Sequence, residues 1–268
     1  WPEGTVVLLA HMTGEGVPSA KPGSTINAAV ISVFSTGFYV RAENDIFAIG
    51  GPQIPAGPIH LILSAPPPHP PEGSQVTIYP QEIKTVSGVI NLSASERFIP
   101  NQPTQTDLKL IAPLLARFIS ADYFPDDIQS VVPDLNLAIE QRDLNSAQRL
   151  LEGRGGGLTP SGDDVLAGLL LYAAWARPAF FGNHQNVECA KTTDLSRAFL
   201  KWAVRGKSIA PVHNMITACK RVAGPGSDGN DQIKHIELNT AIRAVSSVGH
   251  SSGRGLLAGL GLATQWSV

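Results

Sequence analysis

The sequence predicts an α+β protein, with a mostly β N-terminal region followed by a mostly helical C-terminal one. Three observations lead there. Residues 1–105 carry short runs of β-branched and aromatic residues, parted by Gly, Pro, Asn or Asp. From Asp107 onward the apolar residues recur at helical spacing. Strands therefore precede helices without alternating with them, which disfavours a doubly wound sheet. The polar, irregular stretch Pro100–Gln105 marks the change, giving a β-rich domain over 1–105 and a helical domain over 106–268.

The strands are expected at Thr5–Leu9, Ala28–Phe34, Gly37–Val40, Ile46–Ile49, Ile59–Leu63 and Gln75–Tyr79. Glu43-Asn44-Asp45 reads as a hairpin turn and Gly50-Gly51-Pro52 as a break. Proline cannot sit inside a sheet, so Pro66-Pro67-Pro68-His69-Pro70-Pro71 predicts an exposed polyproline loop. In the second region Leu108, Ile111, Leu114, Leu115 and Phe118 share one helical face, behind a cap at Thr106 or Asp107. Short helices are expected around 135–140 and 146–151. Longer ones follow over 165–176, 194–204, 208–222, 233–248 and 252–264, with Gly224–Asn230 as a flexible connection.

Composition excludes several classes of function. Net charge is −2 and only 16 % of residues are charged, so neither nucleic acid nor an anionic membrane is an expected partner. The 43 % apolar content argues against disorder. Cys189 and Cys219 fit neither a disulfide framework nor a metal-ligand spacing and read as small apolar fillers in a reducing compartment. No apolar segment approaches the ~18 residues of a membrane span, and no signal-peptide grammar opens the chain. A cytoplasmic protein is expected.

The stretch that organises the chain is Gly153-Arg154-Gly155-Gly156-Gly157-Leu158-Thr159-Pro160-Ser161-Gly162-Asp163-Asp164. Its glycines permit a backbone lying close to another group. Thr159 reads as a helix N-cap with Pro160 at the first helical position. Asp163 and Asp164 then fall in the first turn, where the helix dipole favours carboxylates. The following run, Val165 to Trp175, is apolar on every face and predicts a central, buried helix. The stretch is not a Walker loop, because no Lys-Ser/Thr follows, and it lacks the preceding strand of a dinucleotide fingerprint.

A second stretch repeats this pattern: Gly249-His250-Ser251-Ser252-Gly253-Arg254-Gly255-Leu256-Leu257-Ala258-Gly259-Leu260. Aligning Thr159 with His250 pairs Ser161 with Ser252, Gly162 with Gly253 and Gly168 with Gly259. The reading is two helices that cross at Gly168 and Gly259 and aim their N-termini at one site suited to an anion. The candidate catalytic residues are Asp163, Asp164 and His250, the two acids serving as a general base, as orienters of an amine or as ligands for Mg²⁺. Candidate substrate contacts are Arg154, Gly155, Gly156, Gly157, Thr159, Ser161, Ser251, Ser252 and Arg254. No cofactor is otherwise implied. The seven histidines form no zinc-ligand pattern, His213 reads as structural, and Ser252 has no nucleophile elbow around it.

Gly-Leu-Thr-Pro-Ser-Gly-Asp-Asp at 157–164, followed by an apolar helix and by Gly-His-Ser-Ser-Gly at 249–253, resembles a bacterial family of unknown-function domains. That family includes one subunit of the oxamate carbamoyltransferase of anaerobic allantoin degradation. Ser32-Val33-Phe34 and Leu195-Ser196-Arg197-Ala198, ahead of Ala203-Val204-Arg205-Gly206, add weaker points of likeness. The resemblance implies an intracellular subunit, working beside partner proteins in carbamoyl transfer between carbamoyl phosphate and oxamate. It also leads one to expect an acid near the start of the last helix, where this chain has Arg254-Gly255. Two other readings stand beside it: a non-catalytic scaffold subunit that docks a partner through its glycine loop, and a stand-alone Mg²⁺-dependent enzyme acting on a small phosphorylated metabolite.

Overall fold

The computed structural model describes residues 6–176, 191–224 and 231–266. The chain divides into two compact units, Trp1–Ile99 and Pro100–Val268. Among the described residues the first holds strands and the second helices, so the protein is of mixed α+β class.

The first unit contains β1 (Val7–Thr13), β2 (Ile26–Phe34), β3 (Gly37–Ala42), β4 (Asp45–Gly50), β5 (His60–Leu63), β6 (Gln75–Ile78), β7 (Glu82–Thr85), β8 (Gly88–Asn91) and β9 (Glu96–Arg97). Their order is β5-β4-β3-β2-β6-β7-β8-β1-β9, and β1 also pairs with β5. That pairing closes the sheet into a barrel, which removes the exposed edges a flat sheet would leave. Alternate side chains point inward; Val40, Phe47, Ile49, Leu61, Leu63, Val76, Ile78 and Ile83 are fully buried. The predicted hairpin is present. Ala42 pairs with Asp45, leaving Glu43 and Asn44 as a two-residue turn with φ +53° at Glu43.

Two expectations need correction. The polyproline run carries no regular hydrogen-bonded structure, but it is not wholly exposed, because Pro67 and Pro70 are buried. Their spacing of three matches the three-residue turn of a polyproline helix, which places every third side chain on one face. The hairpin β7–β8 was not expected, because β7 offers only Ile83 as an apolar residue within Glu-Ile-Lys-Thr. Its strand character comes from its neighbours in the barrel. Thr5 lies outside the described residues.

The second unit contains α1 (Gln105–Ala116), α2 (Val132–Glu140), α3 (Leu144–Leu151), α4 (Ser161–Ala176), α5 (Asp194–Ala203), α6 (Ala210–Ala223), α7 (Asp231–Ser246) and α8 (Ser252–Ala263). Short 3₁₀ turns at Arg117–Ile119, Ala121–Tyr123 and Asp126–Val131 join α1 to α2. The start of α1 is earlier than expected, because Thr104 and Asp107 form a reciprocal capping box that satisfies two terminal N–H groups. Every residue of α4 except Asp164 and Ala176 is buried. The helix is therefore the axis of this unit, as its all-round apolar sequence predicts.

Two tryptophans tie the helical unit together through indole N–H bonds. Trp175 Nε1 donates to the Gly206 carbonyl at 2.9 Å and Trp266 Nε1 to that of Ile139 at 2.8 Å. His213 is structural, as expected: its Nε2 accepts from the Ser208 N–H at 3.0 Å, so Nδ1 carries the proton toward the Asn101 carbonyl at 3.1 Å. Cys219 is buried, and burial pushes its thiol up to about 11. Cys189 and the Pro225–Asn230 stretch lie outside the described residues. Among the described residues no helix is long and apolar enough to cross a membrane.

Candidate functional site

The two repeated motifs meet in space. At the crossing of α4 and α8, a Cβ on Gly168 would stand 2.8 Å from the Leu260 nitrogen and 3.0 Å from the Gly259 Cα. A Cβ on Gly259 would stand 2.8 Å from the Leu169 nitrogen and 2.9 Å from the Gly168 Cα. Any side chain at either position would push the helices apart, so glycine is what lets the backbones touch. The likeness extends to the entry turns. Gly162 abuts the Leu151 carbonyl at the end of α3, and Gly253 abuts the Val245 carbonyl near the end of α7. Each half is thus a helix, a turn and a second helix packed back against the first.

The crossing brings both helix N-termini together, and with them the hydroxyls of both motifs. Thr159 Oγ1 lies 3.3 Å from Ser252 Oγ, and Ser161 Oγ lies 3.1 Å from Ser251 Oγ. Thr159 is not the N-cap of α4. The residue before a proline is driven out of the helical region; α4 starts at Ser161, and the Pro160 carbonyl accepts from the Asp163 N–H at 2.9 Å. Thr159 is thereby free to face α8.

The glycine loop is held by its ends and open at its tip. The Gly162 N–H donates to the Arg154 carbonyl at 2.8 Å, closing the loop. Gly155 has φ +104°, and a Cβ there would collide with Asp127 Oδ2 and stand 2.9 Å from the Ser161 nitrogen. Gly156 and Gly157 have nothing within 4 Å of a built Cβ, and Leu158 is 52 % exposed. Three consecutive residues clamp the loop from the α5 side. The Lys191 N–H donates to Glu152 Oε1 at 2.6 Å, the Thr192 hydroxyl to Asp163 Oδ2, and the Thr193 hydroxyl to the Leu158 carbonyl at 2.6 Å. Thr193 also caps α5, accepting from the Ser196 N–H.

The two first-turn acids have different surroundings. Asp163 is buried and both its oxygens are occupied, Oδ1 accepting from the Gly153 N–H at 2.9 Å and Oδ2 from Thr192. It secures the loop. Asp164 sits where α8 presents Gly255, whose built Cβ would be 2.8 Å from the Asp164 Cβ. The Ser252 hydroxyl bonds the Asp164 carboxyl, yet Oδ2 is cut off from solvent and has no hydrogen-bond partner. Burial pushes its pKa up to about 8; the Ser252 bond opposes this, and the Asp163 and Asp127 carboxylates reinforce it.

The remaining candidates lie further out. Arg154 is exposed and spends its Nε–H on the Leu150 carbonyl at 2.9 Å. His250 is exposed and Arg254 half-buried, neither with a hydrogen bond or ion pair among the described residues. Among those residues no group of three or more His, Cys, Asp or Glu is arranged to hold a metal ion. With Asp163 fully engaged, Mg²⁺ at this pair would rest on Asp164. Asp127, Thr192 and Thr193 were not anticipated from sequence; all three reach the loop from segments distant in the chain. The only local hint was an acidic pair after Pro125 that opens the turn Asp126–Val131.

No solved structure matches the chain. A family model described as oxamate carbamoyltransferase subunit AllH matches residues 151–264. The matched span begins at the last residue of α3 and ends just past α8, so it contains both glycine motifs and their crossing, and over that span the chain is similar to the AllH family.

Proposed function

We propose that this chain is a subunit of a carbamoyltransferase-type complex and binds a small anion, such as oxamate or carbamoyl phosphate, at the paired N-termini of α4 and α8. One observation carries the reading. Hydroxyls from motifs some 90 residues apart converge to 3.1–3.3 Å at two helix N-termini, where free N–H groups and dipoles favour negative charge. Thr159, Ser161, Ser251 and Ser252 supply donors, the loop Gly155-Gly156-Gly157 lets the ligand approach the backbone, and Arg154, Arg254 and His250 stand at the rim. Asp164, bonded by Ser252, stands beside these donors as the candidate acid–base group. The family description as a subunit calls for partner proteins.

A second reading, of a scaffold subunit, draws on the open loop tip. Exposed Leu158 beside bare Gly156 and Gly157 would suit docking of a partner.

Thermal unfolding with oxamate, carbamoyl phosphate, phosphate and Mg²⁺, singly and in pairs, separates the two. Ligand at ~100 times its dissociation constant adds ~2.7 kcal/mol and raises the midpoint by several degrees. The anion-site reading expects such a shift for the chain or for its co-purified complex, and its loss in a Thr159→Val, Ser251→Ala double variant. Stoichiometric capture of partners with no ligand shift in chain or complex would favour the scaffold.

A further inference from the structure

The polyproline run between β5 and β6 is fastened at both ends. The Ser64 N–H donates to the Leu9 carbonyl at 2.9 Å, and the Pro71 carbonyl accepts from the Ser74 N–H at 3.1 Å and from its hydroxyl at 2.5 Å. Gly51 lets the backbone pass close, since a Cβ there would stand 2.9 Å from the Pro66 Cα. Proline rings fix φ, and a residue ahead of a proline is driven to extended backbone, so the run is a polyproline II helix. Such a helix is triangular in section, with three residues per turn. Pro67 and Pro70 form the edge that the fold buries. Ala65, Pro68 and Pro71 form a second edge, Pro66 and His69 the third, and all five are exposed.

We propose that this ridge is the docking site for a separate protein domain that reads proline through an aromatic-lined groove, with a basic residue where the groove meets Glu72. A groove of that kind covers two edges of a polyproline helix and leaves the third pointing away. Here the third edge is the one the fold already holds, so both edges that a groove needs face outward. Pro68 and Pro71 supply the Pro-x-x-Pro spacing on one of them, ~9 Å apart. Among the described residues the carbonyls of 65–70 accept no hydrogen bond. They are open to the indole N–H and phenol O–H donors that such grooves carry. Glu72 follows the ridge directly, is exposed, and accepts from the Val33 N–H at 3.3 Å. Its negative charge selects a groove flanked by Lys or Arg over one flanked by acids. Because the ridge is ordered before docking, little conformational entropy is lost on binding. The proposal does not depend on the anion site.

The test titrates the full chain into an isotopically labelled EVH1 domain, chosen with lysines flanking its aromatic groove, and follows the groove signals by NMR. The expected result is shifts at the groove aromatics with a dissociation constant of roughly 1 mM or tighter. A Pro68→Ala, Pro71→Ala double variant is expected to bind at least about tenfold more weakly, with its unfolding midpoint unchanged. Glu72→Gln keeps an acceptor for the Val33 N–H, and is expected to bind more weakly at low salt with a smaller salt dependence. A synthetic peptide of residues 64–73 is expected to bind less tightly than the full chain, because it must first be ordered. Absence of shifts with the full chain overturns the proposal, whether or not the peptide binds. Undiminished binding by the folded double variant overturns it likewise, because the contact then lies elsewhere. A Glu72→Gln affinity and salt dependence equal to those of the wild type overturn the basic groove end.

Discussion

Two residues show how burial sets charge in this protein, and they do so with opposite signs. Asp164 has a folded pKa near 8, above the ~3.9 of an unfolded aspartate. Between those values the unfolded chain binds fewer protons, so the folded state loses stability as pH rises toward 8. Asn has no charge to keep out of water. Asp164→Asn is expected to raise the unfolding midpoint at pH 7.5, by an amount of order 2 kcal/mol at ~2–4 °C per kcal/mol. The advantage should shrink toward pH 4. A midpoint below that of the wild type at pH 7.5 would mean that the carboxylate is stabilised, contrary to its surroundings.

His213 works the other way. Burial lowers its pKa to about 4, below the ~6.5 of the unfolded residue. Its contribution is complete above pH 6.5 and is lost as pH falls through 4, because the unfolded state takes up the proton first. His60, buried in the barrel and also lowered to about 4, adds the same dependence. Between pH 6.5 and 4 the His213 loss is opposed by the Asp164 gain in the same unit, so calorimetric scans of the Asp164→Asn variant are expected to show the steeper fall in the midpoint of that unit. His213→Gln should weaken that slope while lowering the midpoint at pH 7, since Ser208 N–H and the Asn101 carbonyl lose a well-placed partner.

At the level of elements, the α4–α8 pair decides the helical unit. A substitution at either crossing glycine meets backbone of the other helix rather than the end of a movable side chain. Overpacking of this kind typically costs 1–3 kcal/mol or more. Gly168→Ala and Gly259→Ala are each expected to lower stability by at least ~2 kcal/mol. The double variant should be less destabilised than the sum, because one separation of the helices relieves both clashes. Denaturant unfolding of the four proteins measures this directly; strict additivity would show that the two glycines do not share a contact.

At the level of the whole molecule, each unit has its own core: a closed barrel in Trp1–Ile99 and helices around α4 in Pro100–Val268. Residues 100–268 expressed alone are expected to unfold cooperatively, with a midpoint within a few degrees of the matching transition in the full chain. A molten, non-cooperative fragment would show that the helical core is incomplete without the first 99 residues.

The elements that could be read from sequence are those whose signal is local. Helical periodicity located α5 through α8 to within a few residues, and the Ala/Gly/Leu run announced α4 as buried all round. The register of Thr159 against His250 pointed to two related N-termini. What escaped was set by distant chain. β7 is a strand because β6 and β8 flank it, and the barrel closes because β1 reaches β5. Asp127, Thr192 and Thr193 contribute to the glycine loop from outside it. By itself the sequence determined the α+β class, the central helix and the paired motifs, since propensity, capping and hydrophobic period act over a few residues. Only the tertiary structure decided that Asp163 is a fastening and that Asp164 is an acid with one buried oxygen left without a partner. Identical side chains at adjacent positions differ only in what the rest of the chain folds against them.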